Sequence, residues 1–462
     1  MIGFTNTDNS VPYEPWNKRR TKNTTIFGKN TYLKLDQEIN DNVLVVGTSG
    51  TGKTYSFVEP NLLQANCNYI IADAKGDILR NLGQSLKKQG YKLQVLNLVD
   101  LKHSMSYNPL ANLENDFDVL QFAHSVVRSD VNGNEYMQTN TDPFWVNASE
   151  NLLLALIFFV REFLPVKEQT MTSVNYIFNT LNQHKSQSVS LSDELFNWAN
   201  IKKPDSQAYA FWQKTKVMMT SQKTWGSVLG ILGSYLARYS LGEVKPLMQS
   251  NQIDFTELLK PKRALFVLYD DADPSKNFIS NSFYTQLFGF LYRQARKTGN
   301  RLPVKVRMFL DDFKNIQIPH FDDYLATSRS RNISICMMLQ NESQLKQKYG
   351  INYSSIIGNC AEYLLTGTTD LELAEEASER FNLPIQAIRQ LDCNSFLLDV
   401  SGHTAKIKRF DYQNHPNYVK QIFDISKNIK TPKLAKKLND TCLVEIIKNV
   451  IYSANLDDLE RD

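Results

Sequence analysis

The chain has 462 residues, and 52 lysines and arginines against 48 aspartates and glutamates give a formal net charge of +4. A length of this order allows about two to four domains, whereas the charge is too small for binding nucleic acid through bulk charge alone. Five scattered cysteines without a C-x-x-C motif indicate neither a disulfide framework nor a zinc site. The longest uninterrupted apolar run, Leu152–Val160, is shorter than the roughly 18 residues of a membrane span.

Residues 1–30 are expected to form a weakly ordered segment that contains Pro12, Pro15 and a basic cluster. The cluster consists of Lys18-Arg19-Arg20 followed by Lys22. Such a cluster is typical of a solvated tail, and it also suits anionic lipid headgroups. Both interpretations stay open.

Residues 31–112 alternate between strand and helix patterns. Short apolar runs predict strands at Val43–Val46, Asn68–Asp73 and Lys92–Leu98, and a polar–apolar stretch predicts a helix over Asp77–Gln89. Strand–helix–strand order with short connections favours a mainly parallel sheet with helices on both faces. The predicted fold class is therefore α/β.

A glycine-rich loop with fixed spacing follows the first of these strands. Gly47-Thr48-Ser49-Gly50-Thr51-Gly52-Lys53-Thr54 matches G-x-x-x-x-G-K-[ST], the Walker A motif, at every defined position. The glycines let the backbone turn so that its N–H groups point at phosphate oxygens. Lys53 is placed to reach the β- and γ-phosphates, and the Thr54 hydroxyl to bind Mg²⁺. The motif predicts a site for ATP and Mg²⁺.

Between residues 113 and 258 the strand patterns vanish. Helical periodicity predicts helices at Phe117–Arg128, Phe144–Phe163, Met171–Leu181, Ser206–Met219 and Thr224–Tyr239. The α/β alternation resumes at strand Arg263–Tyr269. We therefore expect an all-helical domain at 113–258, inserted in a nucleotide-binding domain whose two parts are 31–112 and 259–422, with a helical appendage of acidic end at 423–462.

Further candidate catalytic residues lie downstream, at the ends of two more predicted strands. Asp311 and Asp312 end the stretch Val306-Arg-Met-Phe-Leu-Asp311-Asp312, at the end of a strand predicted over Lys305–Asp311. Asp311 is the candidate for the Mg²⁺ shell, and Asp312 is placed to orient or deprotonate the attacking water. Gln340 follows strand Ile333–Leu339 and is a candidate sensor of the γ-phosphate. The alternatives are a simple turn for the aspartates and a water-facing side chain for the glutamine.

Two other sets of residues have open interpretations. An arginine of Ser328-Arg329-Ser330-Arg331 could stabilise transition-state charge on a neighbouring subunit's nucleotide, or it is a solvated surface residue. Lysines alternate with tryptophans in the helical region, which fits either single-stranded DNA or an amphipathic helix with core tryptophans. These residues are Lys202, Lys203, Trp212, Lys214, Lys216, Lys223 and Trp225.

Several separated motifs in the same order resemble the type IV secretion coupling proteins, the TraG-type ATPases of conjugation. The resemblance covers roughly residues 40–415. It rests on Gly47–Pro60, Asp73–Asp77, Leu96–Leu98, Tyr107–Leu110, Asp142–Trp145, Phe309–Ile316, Pro319, Ala326–Arg331, Gln340, Gly358–Cys360, Gly367–Asp370 and Lys408–Tyr412.

The resemblance implies a RecA-like P-loop NTPase motor domain interrupted by an all-helical domain. It implies a homo-hexameric, DNA-stimulated ATPase whose partners are single-stranded DNA, a relaxase in its relaxosome and the secretion-channel proteins. Carried over by position, it also assigns roles to single residues: nucleotide and Mg²⁺ binding to Gly52, Lys53 and Thr54, the metal shell to Asp311, the sensor to Gln340 and the trans-acting arginine to Arg329.

Two departures from the family pattern bear on the activity. The family usually has Asp-Glu where this chain has Asp311-Asp312, and a carboxylate one methylene too short predicts slow hydrolysis. Most members begin with membrane-spanning helices, and none is evident here. We therefore expect a cytoplasmic protein at the inner face of the membrane, held there by a partner or by an anchor that has been removed.

The sequence leaves three functions open. The first is an ATP-driven coupling protein that recruits or translocates relaxase-bound single-stranded DNA. The second is a nucleotide-gated recruitment adaptor with little hydrolysis, and the third is a chromosomal DNA pump or helicase. The active state is expected to be a homo-hexamer, and a monomer in isolation is compatible with the same sequence.

Overall fold

The computed structural model describes residues 17–35, 40–128, 143–183, 191–218, 222–316, 318–432 and 441–459. Eleven strands lie within these ranges: β1 (Thr24–Gly28), β2 (Thr31–Lys34), β3 (Val43–Val46), β4 (Asn68–Ala74), β5 (Lys92–Asn97), β6 (Arg263–Tyr269), β7 (Val306–Leu310), β8 (Ile333–Leu339), β9 (Glu362–Leu365), β10 (Ser395–Val400) and β11 (His403–Lys408).

Nine of the strands form one sheet in the order β11-β10-β9-β3-β8-β7-β4-β6-β5. The pairs from β9 to β5 are all parallel, and β10 and β11 join antiparallel at one edge. In the register at the centre, Val45 of β3 lies opposite Met338 of β8 and Leu364 of β9. The prediction of a mainly parallel sheet is confirmed.

The sheet is buried on both faces, which explains why its strands are continuous apolar runs rather than alternating ones. Successive residues of a strand point to opposite faces. Leu44 and Val46 belong to one hydrophobic core, whereas Val43 and Val45 belong to a second core on the other face. Helices cover both cores.

Seventeen α-helices lie in the described ranges: α1 (Glu59–Leu63), α2 (Asp77–Lys88), α3 (Asp116–Arg128), α4 (Pro143–Phe163), α5 (Met171–Gln183), α6 (Leu191–Lys202), α7 (Gln207–Met218), α8 (Gln222–Ala237), α9 (Val244–Met248), α10 (Asn277–Lys297), α11 (Phe321–Ser328), α12 (Ser343–Tyr349), α13 (Tyr353–Gly358), α14 (Leu371–Phe381), α15 (Ile385–Arg389), α16 (Ile425–Asn428) and α17 (Cys442–Leu459). A π-helical turn, Thr54–Val58, leads into α1.

The described residues between β5 and β6 form helices and no strand, from α3 to α9. Their centre is α4, which packs against α3, α5, α7 and α8. Within the described residues, Phe144–Phe163 is the one helix long and apolar enough to cross a membrane, and 67% of its most apolar window is buried. In this structure it is the core helix of the helical region.

The C-terminal helix α17 packs on that helical region, against α6. Glu168 accepts hydrogen bonds from the backbone N–H groups of Cys442 at 3.4 Å and Leu443 at 3.2 Å, and so caps the first turn of α17. Ile447 and Val450 of α17 are buried. The chain therefore returns from the sheet to the helical region before it ends.

The prediction of a weakly ordered segment up to residue 30 is wrong for its second half, and residues 1–16 lie outside the described residues. β1 pairs antiparallel with β2, and all five residues of β1 are buried. Arg20 of the basic cluster donates a hydrogen bond to Gln64 Oε1 at 2.7 Å and lies 3.1 Å from His415 Nε2. This arginine is therefore part of the folded structure rather than of a solvated tail.

Of the two tryptophans in the lysine–tryptophan set, Trp212 is a core residue and Trp225 is half-buried against the core. Trp212 is 1% exposed and stacks on Phe196 with ring centroids 4.9 Å apart. Trp225 packs edge-on against Trp212. Lys203 and Lys216 each form an ion pair of 2.8 Å with an acidic side chain of the same region. The amphipathic-helix interpretation of this set therefore fits the structure.

Candidate active site

The sheet order brings the glycine-rich loop, Gln340 and the two aspartates together, at the edge of the sheet where the parallel strands have their carboxyl ends. β3, β8 and β7 are neighbours, and the glycine-rich loop, Gln340 and Asp311 follow their respective carboxyl ends. In an open parallel sheet this edge is where ligands bind. Residues separated by more than 250 positions in sequence, such as Thr54 and Asp311, are thereby placed side by side.

The glycine-rich loop is tightly packed at its start and open at its tip. A Cβ on Gly47 would lie 2.2 Å from Thr366 Oγ1, so no larger residue fits there without movement. Gly52 has φ +91°, a conformation that favours glycine. The Lys53 ammonium donates hydrogen bonds to the carbonyl oxygens of Gly47 at 2.5 Å and Thr48 at 3.1 Å. It thus lies over the glycine-rich loop, where phosphate oxygens would accept its hydrogen bonds.

The closest link between the loop and the distant carboxylates is a hydrogen bond. Thr54 Oγ1 donates to Asp311 Oδ2 at 2.7 Å. Burial raises the pKa of Asp311, while the Thr54 hydrogen bond and the charge of Lys53 oppose that rise. Tyr269 donates a hydrogen bond to the backbone carbonyl of Asp311 and thereby holds the end of β7. A hydroxyl and a carboxylate at this separation are the two protein ligands that a Mg²⁺–triphosphate site requires.

Asp312 lies in the same cavity, in a different environment. Its backbone adopts a left-handed conformation with φ 50°. Its Oδ2 accepts a hydrogen bond from Asn315 Nδ2 at 3.1 Å and lies 3.9 Å from Lys314 Nζ. Burial raises the pKa of Asp312, and the charge of Lys314 opposes this. One carboxylate oxygen is therefore engaged by its own loop.

A cavity of about 390 Å³ joins these groups. Its volume lies within the range of small-molecule sites. Loop N–H donors, a lysine, a hydroxyl and a buried carboxylate fit a Mg²⁺-bound nucleoside triphosphate by their chemistry. The residues that line it are Ser49, Gly50, Gly52, Lys53, Thr54, Tyr55, Asp271, Asp311, Asp312, Gln340 and Arg409.

Three of the lining residues, Tyr55, Asp271 and Arg409, were not assigned a role from the sequence. Asp271 stands in an Asp-Asp pair after strand β6, which is the same signal that identified Asp311. Its carboxylate forms an ion pair of 3.1 Å with Lys75. Arg409 belongs to Lys408–Tyr412, one of the stretches that carry the family resemblance. That stretch does not reveal contact with a loop more than 350 residues away in the chain, because the contact depends on the antiparallel edge of the sheet.

The structure separates the other two predicted residues. Gln340 lines the cavity, and its backbone N–H donates to Gln344 Oε1 at 3.1 Å. Arg329 is exposed and precedes β8, at the amino end of that strand. β8 has seven residues, so Arg329 lies roughly 20 Å from the edge with the cavity. Within one chain it does not reach the site, and its action on a neighbouring subunit stays a prediction.

A lysine of α12, the helix that follows β8 and Gln340, contacts the turn after Asp312. Lys348 of α12 donates hydrogen bonds to the carbonyl oxygens of Phe313 at 3.2 Å, Lys314 at 3.0 Å and Ile316. Its ammonium also lies 5.2 Å from the centre of the Phe313 ring. One side chain therefore fixes the turn that follows both carboxylates.

Comparisons with known proteins identify the family of the chain. The sequence matches the family model described as type IV secretory system conjugative DNA transfer over residues 4–381. A search among curated proteins finds no match.

Among solved structures, the plasmid coupling protein TrwB is similar in two complexes at 16% identity. The complex with ADP and Mg²⁺ has a TM-score of 0.60 and covers 89% of this chain and 98% of TrwB. The complex with the non-hydrolysable ATP analogue ADPNP has a TM-score of 0.61, with coverage of 89% and 99%. VirB4 of Thermoanaerobacter pseudethanolicus has a TM-score of 0.50 at 13% identity and covers 84% of this chain and 96% of that chain.

At such identities the solved structures establish a shared fold, here the RecA-like P-loop motor with its all-helical domain. The family match spans most of the sequence and includes the loop, both carboxylates and Gln340. The chain therefore belongs to the type IV secretory system conjugative DNA transfer family.

Proposed function

We propose that this protein is an ATP-dependent coupling protein of a conjugative type IV secretion system, which recruits or translocates relaxase-bound single-stranded DNA. The observation that carries the ATP-dependent part is the 2.7 Å hydrogen bond between Thr54 and Asp311 beside Lys53, in one cavity. Family membership supports the biological setting. TrwB, which shares the fold, has been solved with ADP and Mg²⁺.

The residues of this chain divide the work of phosphoryl transfer. The loop N–H groups and Lys53 hold the β- and γ-phosphates, while Thr54 and Asp311 provide the protein oxygens for Mg²⁺. When bound, Mg²⁺ neutralises charge that develops on the phosphate oxygens. Asp312 orients the attacking water and accepts its proton, and Gln340 contacts the γ-phosphate. Catalysis here is mostly positioning and electrostatic stabilisation.

The test is the steady-state ATPase rate of the purified protein with and without single-stranded DNA. We expect slow turnover that DNA stimulates, and we expect Lys53→Ala to abolish it. Lys346→Ala serves as the matched control, since Lys346 is an exposed lysine of α12 outside the cavity. Turnover that survives Lys53→Ala would contradict the assignment of the site.

One observation favours a second candidate, a nucleotide-gated recruitment adaptor. Asp312 is shorter than the usual glutamate, and its Oδ2 is engaged by Asn315 at 3.1 Å. An enzyme with a misplaced water-orienting group binds ATP and turns it over poorly. The adaptor is the better description if the wild-type protein binds ATP, depends on Lys53 for binding and shows no DNA-stimulated turnover.

The partners we propose are a relaxase and its DNA, the secretion-channel proteins and further copies of this chain in a homo-hexamer. Mass photometry with ATP and single-stranded DNA distinguishes a ring from a monomer. We place the protein at the inner face of the cell membrane, and co-sedimentation with membranes from cells with and without the channel proteins tests that location. Recovery in the soluble fraction in both cases would contradict it.

A further inference from the structure

Arg409 lies over the glycine-rich loop although it follows the last strand of the sheet. Its Cζ would be 3.1 Å from a Cβ placed on Gly52, and both terminal nitrogens would be within 3.4 Å of that position. Its Nε donates a hydrogen bond to Ser56 Oγ at 2.6 Å. Arg409 lies beyond residues 4–381, the span that the family model matches.

The Arg409 guanidinium has a second contact, with an aromatic ring. Its Cζ lies 4.6 Å from the ring centre of Tyr55, in the geometry of a cation–π interaction. The Tyr55 hydroxyl donates in turn to Asp411 Oδ1 at 2.7 Å. Burial and this hydrogen bond raise the pKa of Tyr55 to about 12, so the hydroxyl keeps its proton at neutral pH. Arg409 is therefore oriented before any ligand binds.

The two terminal nitrogens, Nη1 and Nη2, are left for a ligand. Among the residues that the structure describes, none accepts a hydrogen bond from either of them. Arg409 nevertheless lines the cavity beside the loop. A planar fork with unused N–H donors next to a phosphate-binding loop is suited to bind a phosphate oxygen pair.

The position of Arg409 along the glycine-rich loop indicates which phosphate of the nucleotide it would bind. Lys53, Thr54 and Asp311 mark the end of the site that holds the β- and γ-phosphates. Arg409 lies beside Gly52 and contacts Tyr55 and Ser56, which follow Thr54 on the first helical turn; within the described residues it makes no hydrogen bond to Lys53, Thr54 or Asp311. Arg409 thus lies toward the α-phosphate, away from the reacting end.

We propose that Arg409, oriented by Tyr55 and Asp411, is a ligand of the nucleotide α-phosphate. Because ATP and ADP share that phosphate, Arg409 sets the affinity for both and leaves the chemical step unchanged. The proposal rests on nucleotide binding in the proposed function, and it names the part of the nucleotide that this side chain recognises.

The test is isothermal titration calorimetry of Mg²⁺–ADP and Mg²⁺–ADPNP with the full chain. We expect Arg409→Gln to raise the Kd for both nucleotides by the same factor, about tenfold or more, as for loss of charge-assisted hydrogen bonds. Arg409→Lys should recover only part of the affinity, because an ammonium lacks the planar fork. Lys408→Gln is the matched control: it removes one exposed positive charge from the neighbouring position and should change neither Kd.

Each other outcome overturns the proposal in a recognisable way. Loss of affinity for ADPNP alone would assign Arg409 to the γ-phosphate, and loss of affinity for ADP with unchanged affinity for AMP would assign it to the β-phosphate. Equal affinities in wild type and Arg409→Gln would exclude Arg409 as a nucleotide ligand, and a lowered melting temperature of that variant would then make it a purely structural residue. Failure of the wild-type protein to bind either nucleotide would overturn the proposed function as well, whereas binding without turnover would leave Arg409's role intact.

Discussion

Lys348 offers a direct test of how the Asp312 loop is positioned. Its ammonium donates to three backbone carbonyls of residues 313–316, immediately after the two carboxylates. Lys348→Met keeps most of the side-chain length and removes all three donors. The perturbation therefore acts on the turn that aims Asp312, without contact with the predicted nucleotide ligands.

The expected effect on stability is modest. Each carbonyl left without a partner costs about 1–3 kcal/mol when buried. Burial lowers the pKa of Lys348 to about 7, so the wild-type ammonium is itself costly to bury, and its removal offsets part of the loss. We expect a net destabilisation of about 1–3 kcal/mol, measured as the change in free energy of unfolding in urea.

The expected effect on catalysis is larger. A shift of about 1 Å in a catalytic group costs on the order of a hundredfold in rate. We expect Lys348→Met to lower kcat by about that factor while the Kd for Mg²⁺–ADPNP stays within twofold, since the loop and Lys53 are untouched. Lys346→Met is the control: this lysine of the same helix lies over Tyr353 instead, 5.9 Å from its ring centre. A folded Lys348→Met variant with wild-type kcat would refute the reasoning.

Three further predictions concern Asp312, His415 and Arg329. Asp312→Glu should raise kcat, by up to about a hundredfold, because the longer carboxylate reaches the water; an unchanged or lower rate would count against the short side chain as the limiting feature. Burial and the charge of Arg20 lower the pKa of His415 to about 4, from an ordinary value of 6.5. The unfolded chain therefore binds this proton first as the pH falls, and stability is lost between about pH 6.5 and pH 4, by at most about 3 kcal/mol. His415→Gln should remove that part of the pH dependence in urea titrations, and an unaltered slope would assign it to other groups. Arg329→Ala mixed with Lys53→Ala should recover ATPase activity that neither has alone, since each supplies what the other lacks at a shared subunit interface; two inactive variants that stay inactive when mixed would exclude a trans role.

Much of the fold could be predicted because the central strands are simple. β3, β6 and β8 are continuous apolar runs between polar segments, and their predicted bounds match the structure. β1 and β2 were missed because they have only five and four residues and neither contains a long apolar run. β1 contacts the π-helical turn and α1 after the glycine-rich loop as well as β11, and no local pattern reveals these contacts.

In the candidate site, too, some residues could be predicted from the sequence and others could not. Residues 47–54 form a local motif whose chemistry is legible from spacing, and Asp311 follows from the rule that ligands gather at the carboxyl ends of parallel strands. Arg409 and Lys348 depend on tertiary placement: one reaches the loop from the antiparallel edge, and the other reaches a turn from the helix after β8. The sequence alone could not assign the tryptophans of the helical region, because a tryptophan that stacks on DNA bases and one that packs in the core occur in similar sequence patterns.

The central claim is that Lys53 and Asp311 hold the same Mg²⁺-bound triphosphate. The most direct measurement is the Kd of ADPNP by calorimetry with and without Mg²⁺, for the wild type, Lys53→Ala and Asp311→Asn. We expect Mg²⁺ to tighten binding in the wild type, Asp311→Asn to lose that gain while keeping the metal-free affinity, and Lys53→Ala to bind weakly in both conditions. An Asp311→Asn variant that keeps the full effect of Mg²⁺ would contradict the account.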